Sequence, residues 1–242
     1  MIQILIKEVQ GFLNSLIAYI VISVFLISVG LLMWVFPDTN VLDYGYADME
    51  TLFSLGPYIL MFLVPAITMR MFAEEKKSGT IEILLTRPVS DWQIIFGKYL
   101  AGFALVVFAV LPTVVYYFSL SQLSSPVGNI DTAGIIGSYI GLVLLGSVFT
   151  SVGIVSSSIT ENQIIAFILG VFLCFFLYSG FASVAAIDVW ASNSNFINQL
   201  GIVYHYDALS KGLIDTRNLV YFFSVVGFML LTAKLVLESR KW

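Results

Sequence analysis

Six stretches of the chain stay apolar long enough to cross a bilayer, and the polar residues between them gather into compact islands. The stretches run over about 13–36, 52–69, 99–120, 134–157, 164–187 and 219–237. Hydrocarbon about 30 Å thick takes roughly 20 apolar helical residues to cross. Each stretch therefore predicts one spanning helix. The run over 13–36 exceeds a signal-peptide core and has no small-residue cleavage site after it, so it is expected to remain as the first span. Before it, residues 1–12 mix Ile and Leu with Gln3, Lys7, Glu8 and Gln10. That mixture suits an amphipathic helix lying along the membrane surface, or a terminal extension of the first span.

The most charged island is EEKKSGTIEILLTRPVSDWQ, 74–93. It cannot lie in hydrocarbon, because each charge there costs about 2.5–3.5 kcal/mol on the insertion scale. Gly79 can end a helical extension of the second span. From Thr80 a short helix follows, with Ile81, Leu84 and Leu85 on one face and Glu82 and Thr86 on the other. Pro88 disfavours helix at Arg87 and stops it. Ser90 and Gln93 then have capping-box spacing for the helix that carries Trp92 and Lys98 into the third span. Thr160 and Gln163 repeat that spacing before the fifth. A two-turn helix is not stable alone in water and must pack on something. The sequence leaves two settings open: the chain's own bundle or lipid headgroups, or a cleft on a cytoplasmic partner.

Orientation follows from lysine and arginine. The 37–51 segment holds Asp38, Asp43, Asp48 and Glu50 without a basic residue, and 121–133 holds only Asp131. Lys7, Arg70, Lys76, Lys77, Arg87, Lys98, Lys234, Arg240 and Lys241 all fall on the other side, leaving Lys211 and Arg217 apart. The positive-inside rule then places both termini and the 70–98 loop in the cytoplasm, which in a bacterium means the inner membrane. The outer 188–218 segment mixes Trp190, Tyr204, His205 and Tyr206 with polar residues, which suits short interfacial or re-entrant helices. Gly137 and Gly141 form a small-xxx-small pair in the fourth span, fit for close packing within the chain or between subunits.

Composition agrees: 59% of the 242 residues are hydrophobic and 11% charged, with a mean hydropathy of +0.97. The expected fold is an all-α membrane protein, one transmembrane domain over 1–242, with no nucleic-acid partner. Candidate chemistry is sparse. Gly97-Lys98 is followed by Tyr99 rather than Ser or Thr, so no Walker A pattern exists. His205 is the only histidine and cannot form a multi-histidine metal site. Cys174 sits mid-span and has no intrachain partner. No acid or base stands at mid-membrane, which argues against a proton-coupled carrier. The expectation is no enzyme, no catalytic residue, and no metal or cofactor on this chain.

The run from Met71 to Lys98 resembles the loop after the second span of ABC-2-type permeases, the membrane subunits of certain ATP-binding-cassette transporters. The resemblance rests on Glu74, Glu75, Lys76, Lys77, Ser78, Gly79, Thr80, Glu82, Leu84, Leu85, Pro88, Val89, Ser90, Gly97 and Lys98. Further likeness lies in Ser157 to Gln163 and in Asp207 to Leu219. Within that family the permease F subunit of gliding-motility-associated (Gld) transporters looks most similar, helped by Leu42 to Asp48. Lys211 and Asn218 depart from the pattern, where Arg and Asp are expected. The resemblance implies a type V exporter-like fold of six spans, with an N-terminal interfacial helix, a cytoplasmic coupling helix and short outer helices. It also implies an ABC ATPase partner that carries ATP and magnesium. A second permease copy, or a related subunit such as a Gld G-like protein, would complete the membrane unit. The coupling role passes to Glu74, Glu75, Lys76, Lys77, Gly79, Thr80, Ile81, Glu82, Leu84, Leu85, Arg87 and Pro88. The function implied is a permease that converts ATP hydrolysis by its partner into transport or envelope work. The rival reading is a membrane anchor that only recruits a cytosolic protein.

Overall fold

The structure is a computed structural model describing residues 1–43, 45–85, 89–187, 194–213 and 215–239. Tyr44, Thr86, Arg87, Pro88, Asp188, Trp190, Ile214, Arg240 and Lys241 lie outside those residues. So do the side chains of Ile83, Leu84 and Leu85. The chain is 82% helical, with no strand among the described residues. Among the described residues six helices are long and apolar enough to span a membrane: Leu16–Trp34, Glu50–Lys77, Asp91–Leu123, Thr132–Ile159, Gln163–Ala185 and Thr216–Glu238.

The chain opens with α1 (Ile2–Leu13), a separate helix rather than an extension of the first span. Asn14 closes it, and Ser15 caps α2 (Leu16–Trp34) by accepting from Ala18 N. The second span is α3 (Glu50–Thr68) continued almost without interruption by α4 (Arg70–Lys77). Gly79 then turns the chain at φ +70, a left-handed conformation that side chains resist. The short α5 (Thr80–Leu85) follows. Next comes α6 (Asp91–Val110), whose Ser90–Gln93 capping box forms with both bonds present. One 3-10 turn over Leu111–Thr113 joins it to α7 (Val114–Leu123).

The fourth span, α8 (Thr132–Ile159), is the axis of the bundle and is buried along most of its length. At 28 residues it is about 42 Å long. Its small residues explain its place. Ser151, Ser156, Ser157 and Ser158 return their hydroxyls to carbonyls three or four residues back, so the helix carries polar groups in a dry interior without leaving them unpaired. A Cβ on Gly137 would lie 2.7 Å from Gly212 Cα, and one on Gly141 would lie 2.9 Å from Leu209 Cβ. The Gly137–Gly141 face therefore packs within this chain.

The fifth span starts with α9 (Gln163–Phe175). Its cap differs from the expected Thr160–Gln163 box. Asn162 takes the position and accepts from Ile164 N, while Thr160 Oγ1 accepts from Asn162 N. An Asx side chain two residues before the first free amide bonds it locally, and the hydroxyl of Thr160 is left to order the turn before it. A π-helical turn over Phe176–Gly180 interrupts this span before α10 (Phe181–Ala185). Two short helices follow, α11 (Ser194–Leu200) and α12 (Ile202–Ser210), and then the last span, α13 (Thr216–Glu238). His205, the lone histidine, ties this region together through Asn218 Oδ1 (2.8 Å) and the Gln199 carbonyl (2.9 Å).

Faces of α2, α9 and α13 remain open, with Tyr19, Val24, Ile27, Ile168, Phe172 and Phe228 exposed. In water such a surface would aggregate; in a bilayer it meets acyl chains.

Candidate functional site

At one end of the bundle, α1, α4, α5, the start of α6 and the last turns of α13 come together. The polar residues that the sequence gathers at 74–82 divide there into two sets. Glu74, Lys77, Gly79, Thr80 and Glu82 are exposed. Glu74 is tied only to Arg70 one turn back, at 2.9 Å. Glu75, Lys76 and Ile81 turn inward. Ile81 is 8% exposed and belongs to the hydrophobic core. The Lys76 ammonium donates to the carbonyl of Ser158, near the end of α8. Leu84 and Leu85 continue α5, their side chains lying outside the described residues as Arg87 and Pro88 do.

Glu75 leads to the feature that composition and periodicity do not reveal. Lys98, in the second turn of α6, has a side chain with no solvent exposure at all. Its Nζ donates to Glu8 Oε1 at 2.7 Å and to the Met71 carbonyl at 2.6 Å, and lies 2.9 Å from Glu75 Oε2. The Phe72 ring stands 5.0 Å beneath it. Lys7 closes the set from the surface side, 2.8 Å from Glu75 Oε1. Two lysines and two carboxylates thus join three elements: α1 through Lys7 and Glu8, α4 through Glu75, and α6 through Lys98.

The magnitudes show why the cluster exists as a unit. An ammonium taken out of water costs several kcal/mol unless opposing charge and acceptors replace its hydration. Lys98 donates to the Glu8 carboxylate and the Met71 carbonyl, and the Glu75 carboxylate stands beside it as an ion pair, its Oε2 accepting no hydrogen bond among the described residues. Removing any one partner would expose the rest to that cost. A small cavity of about 300 Å³ between α1 and α4 borders the cluster, with Lys7, Glu74, Glu75 and Thr80 among its walls.

The sequence sets Glu75 among the coupling charges, carries Lys98 into the third span from the cytoplasmic side, and gives Glu8 only a place in the amphipathic stretch over 1–12. Lys98 stands among apolar neighbours at the start of the third span and so needs an opposite charge, but nothing local in the sequence names Glu8 or Glu75 as its partner.

Among the described residues, five apolar helices around a sixth, central and rich in small residues, define a multipass membrane protein. The chain belongs to the ABC-2 family transporter proteins, whose pattern it matches over residues 2–237. It is 29% identical over 175 residues to the probable multidrug ABC transporter permease YbhR of Escherichia coli K12, and equally to that of Escherichia coli O157:H7. Those matches take in 70% of this chain and 44% of the relative, so the chain spans about half the length of the curated relatives it matches. Permeases of this family form the membrane part of an ABC transporter and work with an ABC ATPase partner.

Proposed function

We propose that this chain is the membrane-spanning subunit through which a separate ABC ATPase drives transport or work on the cell envelope. In this reading the α4–α5 corner faces the cytoplasm, both termini lie on that side, and the membrane is a bacterial inner membrane. The ATPase touches the exposed rim formed by Glu74, Lys77, Thr80 and Glu82, together with whatever Leu84, Leu85, Arg87 and Pro88 present. Glu75, Lys76 and Gly79 serve from behind: they hold the rim to the bundle.

The observation that carries the proposal is the Lys98 cluster. A docking corner held only by loops would yield when pushed. This one is bonded by charge to the N-terminal helix and to the third span, so a displacement of α5 is passed to both. Conformational coupling requires that a partner's motion change contacts in a second element, and the cluster supplies those contacts. The same feature favours a transporter over a passive anchor, which needs a surface but no transmission.

The finer assignment follows the sequence resemblance. The chain reads as a Gld F-like permease linked to gliding motility, with α1 as the interfacial helix of a type V arrangement and α11 and α12 as its short outer helices. It pairs with a second copy or with a Gld G-like subunit. ATP and magnesium reside on the ATPase alone.

Co-purification with a candidate ABC ATPase tests docking. Glu82→Lys and Lys77→Glu should each lower recovery of the complex about tenfold, the effect of losing roughly 1.4 kcal/mol of interface energy. Full recovery with both variants would remove the rim from the interface.

A further inference from the structure

The opposite end of the bundle holds a cavity of about 590 Å³ between the starts of α3 and α8, the fifth span and α12. Sites for small organic molecules commonly enclose about 300–1,000 Å³. Its walls carry two kinds of group. Asp48, Glu50, Asp131 and Asp207 are acidic, against Lys211 as the one basic residue among them. Tyr58, Tyr178 and Tyr206 supply aromatic surface.

Two of the acids are already in use. Asp48 accepts from Glu50 N, and Asp131 accepts from Gly134 N as the cap of α8. Asp207 is different. Its carboxylate makes no hydrogen bond or ion pair among the described residues. It is exposed, yet partial desolvation raises its carboxyl above the ordinary value, with Lys211 pulling the other way.

Tyr178 is the second, independent observation. It sits inside the π-helical turn of the fifth span, a local widening that re-aims side chains and often marks a functional position. The turn delivers the ring to the centre of an edge-on aromatic set: 5.6 Å from Tyr58, 6.3 Å from Phe149 and 6.1 Å from Tyr206. The Tyr206 hydroxyl is spoken for, donating to the Phe53 carbonyl at 2.7 Å. Tyr178 is only 4% exposed, and its hydroxyl has no hydrogen-bond partner among the described residues. The hydroxyl keeps a little open surface and the residue lines the cavity, so it is available to what enters there.

An excess of negative charge, a free carboxylate and aromatic faces together select for positive charge on an apolar body, because ring quadrupoles attract cations and the carboxylate supplies the counter-charge. A bare divalent ion fits less well. Among the described residues no three His, Cys, Asp or Glu side chains gather closely enough to hold a metal. We propose that this cavity binds an amphipathic organic cation, with Asp207 as counter-ion and Tyr178 as the aromatic contact. A soluble amine and the ammonium headgroup of an ethanolamine lipid share that chemistry.

The test uses the purified full-length chain in non-ionic detergent without any ATPase, so its failure leaves the coupling proposal standing and the reverse also holds. Equilibrium binding of labelled tetraphenylphosphonium should saturate. Asp207→Asn should weaken it about tenfold, as loss of a counter-ion worth roughly 1.4 kcal/mol would, and Tyr178→Leu should weaken it several-fold. Glu161→Gln, a control at the other end, should bind as the unaltered chain does. Helix content and monodisperse elution show that each variant is folded; should Tyr178→Leu fail there, the solvent-contacting Asp207→Asn still decides. Displacement of the probe by added phosphatidylethanolamine but not phosphatidylglycerol would identify the lipid headgroup as occupant. Displacement by neither would leave a soluble cation. No saturable binding, or equal binding by folded Asp207→Asn, would overturn the proposal.

Discussion

Lys98 carries its charge at the driest point any lysine occupies among the described residues, and the fold near it is organised to make that tolerable. Breaking a buried ion pair from one side costs about 3–5 kcal/mol, because the surviving charge is left without a partner. Lys98→Met should therefore lower the free energy of unfolding, read from denaturation in mixed micelles, by an amount in that range. Neutralising the partners as well, in Lys98→Met/Glu8→Gln/Glu75→Gln, should restore most of the loss, since the one charge left in the cluster, on Lys7, is largely exposed. If the triple variant is as unstable as the single one, packing rather than charge explains the burial. At this scale the sequence is legible wherever partners are near neighbours: Ser90 and Gln93 announce their capping box three residues apart. Lys98 and Glu8 stand 90 positions apart, and no local pattern could have joined them. The Thr160–Gln163 spacing misleads for a related reason, because Asn162 offers the same helix a closer cap.

Between elements, close approach governs. The α8 helix admits neighbours because its facing positions are small, and the chain at Gly212, itself at φ +79, lies against Gly137. Gly137→Val should cost about 1–3 kcal/mol as an overpacked contact. Gly227→Ala, on α13 where a Cβ meets nothing within 4 Å, should be neutral or stabilise by up to about 1 kcal/mol through helix propensity. Thermal denaturation of the two variants side by side separates a packing requirement from a general dislike of substitution. Equal losses would refute it. The six long helices were plain from hydropathy because a run of roughly 20 apolar residues has few other uses. The π turn at Phe176–Gly180 was not. Phe-Leu-Tyr-Ser-Gly carries no local mark of it.

Across the whole molecule, the two ends differ in kind. One end concentrates cations and binds three helices through them. The other is acidic, and its cavity is lined by tyrosine. Lysine and arginine counts made this polarity readable from the chain alone, and the loop resemblance pointed to the corner at 74–88 as the place of contact with an ATPase. The division of that corner was not readable. Ile81 belongs to the core and Glu75 to the ion cluster, so neither joins Glu74, Lys77, Thr80 and Glu82 on the exposed rim. An apolar face in a periodic pattern states that something covers it; here, at Ile81, the chain itself does.

Transmission through the Lys98 cluster is the claim on which the functional account rests, and Glu75→Gln addresses it most directly. This variant keeps the shape of the side chain and leaves Lys98 with Glu8, while the exposed rim is unaltered. ATP hydrolysis should be measured in vesicles holding the complete complex, with complex recovery determined on the same samples. The account predicts recovery like that of the unaltered complex and turnover reduced about fivefold or more, the scale of a coupling energy near 1 kcal/mol. Normal recovery together with unchanged turnover would contradict it.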